Sequence, residues 1–369
     1  MGPEEARYVV IGAGFAGAAT ACHLALQGAR QIVIVEQEAV AGFHSSGRNA
    51  GFIRQVLAEP SVADLAAQSA EFIRNPPPGW PIPVSYDAIG CMILGRGDQW
   101  DALQTDAELA RRRGLDVECW SPEKTLAAMP LIEGAVLDGA VWCASDGVID
   151  INALLAGYLK MAQSGGATIR YGAAVEEVRV RNGRVQGIAT SQGFFEADVV
   201  VNAAGPWAGP VGAMAGAAPI AFHPRRRHLF VTPPLDWVKP DWPFVLNVSD
   251  EVYFQPSSGG LMLCPCDEDD MPPCDPPTRP EALELLAERL AAAYPDFPDI
   301  PIGRYWAGLR TFTDDNRFVI GWDPGIEGFF WVAGLGGHGV TTSAAVGSLA
   351  ARLLFGAGAD PNFSPARFR

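Results

Sequence analysis

No apolar run in this 369-residue chain approaches the roughly 20 residues that a membrane-crossing helix requires, so no membrane span is expected. Cations are scarce as well: 27 Lys and Arg stand against 42 Asp and Glu, for a formal net charge of −15. Binding a nucleic-acid backbone takes clustered cations that neutralise phosphate. The one basic run, Arg225–Arg226–Arg227, is too short to supply them, so no nucleic-acid partner is expected. Cysteine is sparse, with seven scattered residues. Cys264, Cys266 and Cys274 form the only cluster, with neither the spacing nor the histidines of a zinc site; no metal is expected. An odd number of thiols suggests a reduced, cytoplasmic setting. The polar start, Met1 to Arg7, runs straight into a strand and does not read as a secretory signal. Among five histidines no Ser/His/Asp or Cys/His catalytic set stands out.

What is present is the texture of a globular protein, 49% hydrophobic and 19% charged, long enough for one large domain or two interleaved ones. Tyr8–Ile11 reads as a fully buried parallel strand, Gly14–Gln27 as a helix and Gln31–Val35 as a second buried strand, a βαβ unit. Between the first strand and the helix lies Gly12-Ala13-Gly14-Phe15-Ala16-Gly17. In such a G-x-G-x-x-G, Gly12 allows a tight turn, Gly14 lets the backbone approach a pyrophosphate, and Gly17 lets helix and strand pack closely. The helix N-terminus would face the phosphates with free N–H groups. Glu36 closes the second strand, where a carboxylate can accept both ribose hydroxyls and disfavours a 2′-phosphate. A second small-polar loop follows, Gly42 to Gly51. A plain NAD site has no need of it, whereas FAD has a ribityl chain and an isoalloxazine still to be held. The expectation is a Rossmann-type FAD-binding domain.

Further along, the texture alternates. The proline-rich Asn75–Pro83 stretch reads as a crossing between domains. Residues 84–144 mix short strands with a charged helix near Asp98–Arg113. A helix over Ile151–Gln163 and strands near Thr168–Tyr171, Val175–Val180 and Val185–Thr190 then lead into an all-apolar strand, Val199–Val201, and Asn202-Ala203-Ala204-Gly205. Residues 221–305 are broken by paired prolines and carry one helix, Pro280–Ala293; the chain closes with a Gly-rich loop and helix over Val332–Leu354. This predicts an α/β FAD-binding domain of residues 1–83, 145–220 and 306–369. Interleaved with it is an α+β substrate domain of residues 84–144 and 221–305, on a mixed or antiparallel sheet.

With these residues in hand, the sequence resembles the D-amino-acid-oxidase superfamily of flavoproteins, which includes glycine oxidase, sarcosine oxidase and D-amino acid dehydrogenases. The resemblance covers nearly the whole chain in six ordered blocks: Val10–Gly17, Glu36, Ser45–Gly51, Val201–Trp207, Gly308–Gly321 and Gly328–Gly347. Within the superfamily it is strongest to the bacterial FAD-dependent D-arginine dehydrogenases, in Asn75-Pro76-Pro77, Asp241-Trp242-Pro243, Trp306–Arg310 and Glu327–Ala333. The resemblance implies that FAD is held by Gly12, Gly14, Phe15, Ala16 and Gly17, by Glu36 and Gln37, and by Ser45, Ser46, Arg48, Asn49, Ala50 and Gly51. It adds Val175, then Ala203, Ala204, Gly205 and Trp207 at the strand-end turn. Gly336, Gly337, His338, Gly339, Val340 and Thr341 are implied to form the loop and helix start aimed at the flavin pyrimidine, with Arg310 also against the cofactor. Gly308 stands where sarcosine oxidase carries its flavin-linking cysteine, which implies non-covalent FAD.

At the substrate end the resemblance implies that Arg310 binds the carboxylate, with Arg227 as a second such arginine and Tyr253 in the pocket; a rigid guanidinium fork suits a carboxylate. Other readings remain open: an ion pair of Arg310 with Asp314 or Asp315, a one-residue shift within Arg225–Arg227, a core role for Tyr253, and a His338 held only by backbone. Phe52, Leu57 and Cys91 occupy pocket positions where the D-arginine dehydrogenases carry a histidine, a tyrosine and the acid that holds the guanidinium. A basic substrate would lose its partner, so an apolar side chain is expected. Met262 aligns with the oxygen-activating lysine of sarcosine oxidase, which tilts the electron acceptor from oxygen toward a quinone or another carrier. The implied reaction is oxidative deamination of a D-amino acid to a 2-oxo acid and ammonia by hydride transfer from Cα to flavin N5. The alternatives are oxidation of a secondary amine, such as an N-methyl or cyclic amino acid, and a flavin-binding protein without turnover.

Overall fold

A computed structural model describes residues 4–368. The first sheet has eight strands: β1 (Glu4–Ile11), β2 (Ile32–Val35), β9 (Thr168–Arg170), β10 (Val175–Arg181), β11 (Arg184–Thr190), β12 (Gly193–Asn202), β19 (Val319–Trp322) and β20 (Phe329–Ala333). Its middle, β9-β2-β1-β12-β20, is parallel. Those strands are continuous Val/Ile/Phe runs because helices cover them, and residues 8–11, 32–35 and 329–333 are buried throughout. A β10–β11 ribbon and β19 extend it antiparallel.

The second sheet has nine strands: β5 (Cys91–Gly95), β6 (Val117–Trp120), β7 (Gly139–Cys143), β13 (His223–Val231), β14 (Phe244–Asn247), β15 (Val252–Ser257), β16 (Gly260–Cys264), β17 (Asp269–Asp270) and β18 (Arg304–Phe312). It is mixed, since β14 runs parallel to β5 and the other pairs are antiparallel. A small sheet of β3 (Phe52–Ile53), β4 (Tyr86–Asp87) and β8 (Gly147–Ile149) completes the strands. The helices are α1 (Phe15–Leu26), α2 (Pro60–Arg74), α3 (Asp98–Arg112), α4 (Pro122–Ala128), α5 (Ile151–Ser164), α6 (Ala208–Met214), α7 (Glu281–Ala293) and α8 (Ser343–Leu354). None of the described helices is long and apolar enough to cross a membrane.

The structure differs from expectation at two places. Helix α2 fills a segment between the Gly42–Gly51 loop and the proline-rich stretch to which the sequence reading assigned no element. Pro60 opens the helix, where it lacks only an N–H that has no partner, and Glu59 caps it by accepting from the Ser61 N–H at 3.3 Å. The expected change of unit at residue 306 falls inside β18, which pairs with β13 from Val231↔Arg304 to His223↔Phe312 and so lies wholly in the second sheet. The loop and helix read over Val332–Leu354 are present, the loop following β20 and α8 running from Ser343 to Leu354. The proline-rich stretch has no regular structure, but Trp80 anchors it edge-on to Phe72 (5.5 Å) and Tyr158 (5.4 Å).

Helices α1, α5 and α8 share one core cluster with β1 and β2, which fixes the α1 N-terminus against the sheet. The closest approach is at Gly347, where an added Cβ would lie 2.5 Å from the Ala19 backbone. Gly347→Val should force the helices apart and cost about 3 kcal/mol. A thermal melt matching the parent protein would show that this contact yields more readily than rigid packing implies.

Candidate active site

Where β1 ends, Gly12 (φ 104°) turns the chain into α1, and a cleft of about 530 Å³ opens there and runs to the second sheet. Its nucleotide end is lined by Gly12, Gly14, Phe15 and Ala16, and a Cβ on Gly14 would lie 2.8 Å from Ser46 Oγ. Helix α1 has no side-chain cap of its own; the Phe15 N–H donates instead to Ser46 Oγ at 3.0 Å. Glu36 holds its carboxylate at the cleft by accepting from the Ala13 N–H (2.8 Å) and the Glu38 N–H (3.0 Å). Gln37, Ser45, Ser46, Arg48, Asn49, Ala50, Val175, Ala203, Ala204, Gly205 and Trp207 also line the cleft. Gly17 and Gly51 do not. A Cβ on Gly17 would strike the Gly12 carbonyl, so it serves helix–strand packing, while Gly51 (φ 62°) accepts from the Ile149 N–H and ties the loop to β8. Within that loop the Asn49 amide donates to the Ser46 carbonyl (2.8 Å), Asn49 Oδ1 accepts from the Gly51 N–H (2.8 Å), and the Ser45 hydroxyl donates to the Leu309 carbonyl (2.7 Å). A fixed array of small residues, backbone groups and one acidic side chain is thus presented to the cleft.

At the other end, Gly336 to Thr341 line the cleft before α8. The Gly336 N–H donates to the Thr311 carbonyl at 2.9 Å, docking this loop on β18. Arg310 projects from β18 into the cleft, and its guanidinium lies so close over Gly337 that a Cβ there would be 3.1 Å from Cζ. The ion pair with Asp314 or Asp315 does not form: Asp314 pairs with His223 (2.7 Å), and Asp315 with Arg317 and Arg367. The Arg310 side chain has no hydrogen bond or ion pair among the described residues. Burial and the neighbouring Arg227 pull its pKa down, opposed by Tyr253, Cys264 and Cys266.

The strand period of two puts Arg225 and Arg227 on one face of β13, both reaching Glu268, and Arg226 on the other. Arg225 stays outside with Glu268 and Asp270, Arg226 is fully buried against Asp269, and Arg227 lines the cleft. Arg227 is held by the Asp267 carbonyl (2.7 Å) and Glu268 (2.6 Å). Tyr253 is both core and wall: it is buried, packs on Phe244 (5.0 Å between rings) and borders the cleft. His338 is kept neutral, brought down to about 3 by burial and by the charges of Arg54 and Arg310. Phe52 lines the cleft, whereas Leu57 and Cys91 are corrected out of its lining and are buried in the core clusters behind it. Met262 is likewise in the core, with its sulfur against the Gln255 amide.

Sequence reading missed Arg54, Leu229, Phe244, Leu246, Cys266 and Glu268 on this wall. Only Arg54, next to the flavin loop, carried a signal that could have been followed; the apolar residues read as ordinary strand core.

Behind Arg54 lies Asp146, fully buried, with one oxygen accepting from the Gln55 backbone (3.0 Å) and amide (2.9 Å) and the other without a partner. Burial lifts it from 3.8 to about 6 against the Gln55 bonds and the Arg54 charge. Between these pH values the folded protein keeps a proton that the unfolded chain has released. Stability therefore falls as the pH rises through the window, by roughly 3 kcal/mol from this group. Asp146→Asn should remove that loss. Chemical denaturation at about pH 4 and about pH 7 should show a smaller change for the variant than for the parent. Parallel pH profiles would reject the assignment.

Against known proteins, the chain matches the FAD dependent oxidoreductase (DAO) family over residues 7–353. It is 26% identical to a D-amino acid dehydrogenase of Cereibacter sphaeroides, covering 92% of this chain and 89% of that one. It is 23% identical to a 4-methylaminobutanoate oxidase (formaldehyde-forming) of Paenarthrobacter nicotinovorans, over 94% of this chain but only 43% of that enzyme. Its fold superposes on L-proline dehydrogenase from P. horikoshii with a TM-score of 0.88 at 23% identity, covering 99% and 98% of the two chains.

Proposed function

This chain belongs to the FAD dependent oxidoreductase (DAO) family, and on that premise we propose that it oxidises D-amino acids with apolar side chains to 2-oxo acids and ammonia. The residues present fit FAD. Gly12 and Gly14 leave room where a Cβ would meet the Ala203 carbonyl or Ser46, the Glu36 carboxylate faces the cleft, and the start of α1 has no side-chain cap of its own. When bound, FAD supplies the acceptor for the hydride that leaves the carbon next to nitrogen.

The observation that carries the substrate reading is Arg310, a guanidinium in the cleft without an anionic partner among the described residues. A buried cation left alone is costly, and a substrate carboxylate would relieve that cost through two parallel N–H···O bonds. Anchored there, the substrate loses the freedom that would otherwise oppose reaction at a single C–H. Arg227, already held by Glu268, adds positive charge on the same side, and Tyr253 offers a hydroxyl. Phe52, Leu229, Phe244 and Leu246 give an apolar wall. A basic side chain would meet Arg54 on that wall, which disfavours D-arginine and D-lysine. His338, held neutral by burial and by the charges of Arg54 and Arg310, adds no further positive charge to the cleft. Among the described residues no lysine lines the cleft, which favours an acceptor other than oxygen.

A second reading, oxidation of a secondary amine, draws support from the likeness to the 4-methylaminobutanoate oxidase. Anaerobic addition of D-leucine, D-methionine or D-phenylalanine to the yellow protein should bleach it, with ammonia and the 2-oxo acid formed in step. Faster bleaching by N-methyl or cyclic amino acids would favour the second reading, and no bleaching by any of them would remove both.

A further inference from the structure

The oxidation just described leaves unused one thiol at the cleft wall and a second just behind it. Cys264 is the last residue of β16, opposite Tyr253, and is completely buried. After Pro265 the chain turns back through Cys266, whose left-handed backbone (φ 50°) brings its N–H to 3.3 Å from the Cys264 sulfur. Cys266 is only partly buried and borders the cleft. Residues two apart have Cα atoms at most about 7 Å from one another, and a turn shortens that span into the range a disulfide accepts.

The surroundings set this pair apart from the other buried thiols. Burial lifts Cys22 and Cys143 to about 12 and Cys91 well above its usual range. At Cys264 burial pushes the same way, but the hydrogen bond with Cys266 and the charges of Arg227 and Arg310 overcome it and bring the thiol down to about 6. The remaining proton is held firmly on the pair, with Cys266 well above its ordinary value through its bond to Cys264 and its burial. A buried thiolate on Cys264 beside two guanidiniums, with the Cys266 N–H on its sulfur and the Cys266 thiol at the cleft, gives a reactive sulfur and a resolving one two residues apart.

We propose that Cys264 and Cys266 form a hydroperoxide-reactive dithiol whose oxidation to a disulfide weakens substrate binding in this cleft. The chemistry balances with hydrogen peroxide as oxidant. The Cys266 thiol passes its proton to the Cys264 thiolate and attacks one peroxide oxygen, the O–O bond breaks, and the leaving hydroxide takes that proton back from Cys264 to become water. The Cys264 sulfur then displaces the new hydroxyl on Cys266, the S–S bond forms, and the departing hydroxide takes a proton from solvent as a second water. Two electrons pass from sulfur to peroxide. The link to the substrate runs through the next two residues, because the Asp267 carbonyl and the Glu268 carboxylate hold Arg227. Drawing Cys266 onto Cys264 pulls on that support and shifts Arg227.

The test uses the flavin-loaded protein exposed to hydrogen peroxide, then alkylated and digested. The peptide carrying both residues should lose two hydrogens through a Cys264–Cys266 bond that dithiothreitol reverses. KM for the amine substrate should rise roughly tenfold in parallel. Cys274→Ser should give the same mass change, which separates the proposed bond from one to the third nearby thiol; Cys266→Ser should not give it. Two free thiols after peroxide, or a sulfinic acid on Cys266 beside a free Cys264, would overturn the proposal, as would a disulfide with an unchanged KM. The mass measurement needs no substrate, so the dithiol can fail or stand whatever becomes of the proposed reaction; only the KM shift rests on that reading.

Discussion

Arg310→Met is expected to lower kcat/KM for a carboxylate-bearing amine by roughly 10²–10³ while the protein stays yellow. Arg310 lies against Gly337 in the cleft and has no other partner among the described residues, so the variant removes a substrate contact and little else. Losing a buried, charge-assisted pair costs about 3–4 kcal/mol, which sets that fold-change. Arg310→Lys should recover only part of it, since one ammonium cannot reproduce a planar fork. Amines lacking a carboxylate should lose far less between parent and variant, which separates anchoring from general damage. Steady-state kinetics on such a matched pair of substrates would decide it. A methionine variant with parental kcat/KM would place the substrate anion elsewhere, and Arg227 would be the next candidate.

Gly12→Val is the second large effect: the purified variant should be colourless. Two constraints act together at this residue. Its backbone sits at φ 104°, a region that a β-branched side chain avoids, and a Cβ would lie 2.5 Å from the Ala203 carbonyl on the neighbouring strand-end turn. The added atom can be accommodated only by moving the turn from which α1 starts. A displacement costing about 3 kcal/mol corresponds to more than a hundredfold weaker FAD binding. Gly14→Ala is the milder companion, because its Cβ meets the Ser46 hydroxyl, which can rotate away. Flavin content per chain, read from the visible spectrum beside a far-ultraviolet check of folding, measures both. Full flavin occupancy in Gly12→Val would show that the turn adapts and that the phosphates are not held there.

The parts of this protein that were legible before any coordinates are those where the signal is local. A buried strand, a glycine turn, a helix and a second strand ending in Glu36 occupy fewer than forty residues, and each element constrains its neighbour through backbone geometry. The Gly336–Thr341 loop and Arg310 were legible through resemblance, and both border the cleft. What misled or was passed over was also local: residue 306 looked like a boundary and lies within β18, and the segment opened by Pro60 was given no element and is helix α2.

The amino-acid order by itself determined the FAD-binding βαβ unit, the alternation of two kinds of segment, and the arginine on β18 as the anion-binding candidate. It could do so because strand period, glycine freedom and helix-start chemistry act over a few residues. Only the tertiary structure decided which side chains meet around the cleft. Arg54 follows β3 of the small sheet, whereas Phe244, Leu246 and Cys266 come from segments of the second sheet far later in the chain. How those last three meet the cleft depends on how β13, β14, β15, β16 and β18 align, which no single segment encodes. The same packing exchanged Leu57 and Cys91 for those residues on the wall, and it brought two thiols under the charge of two arginines.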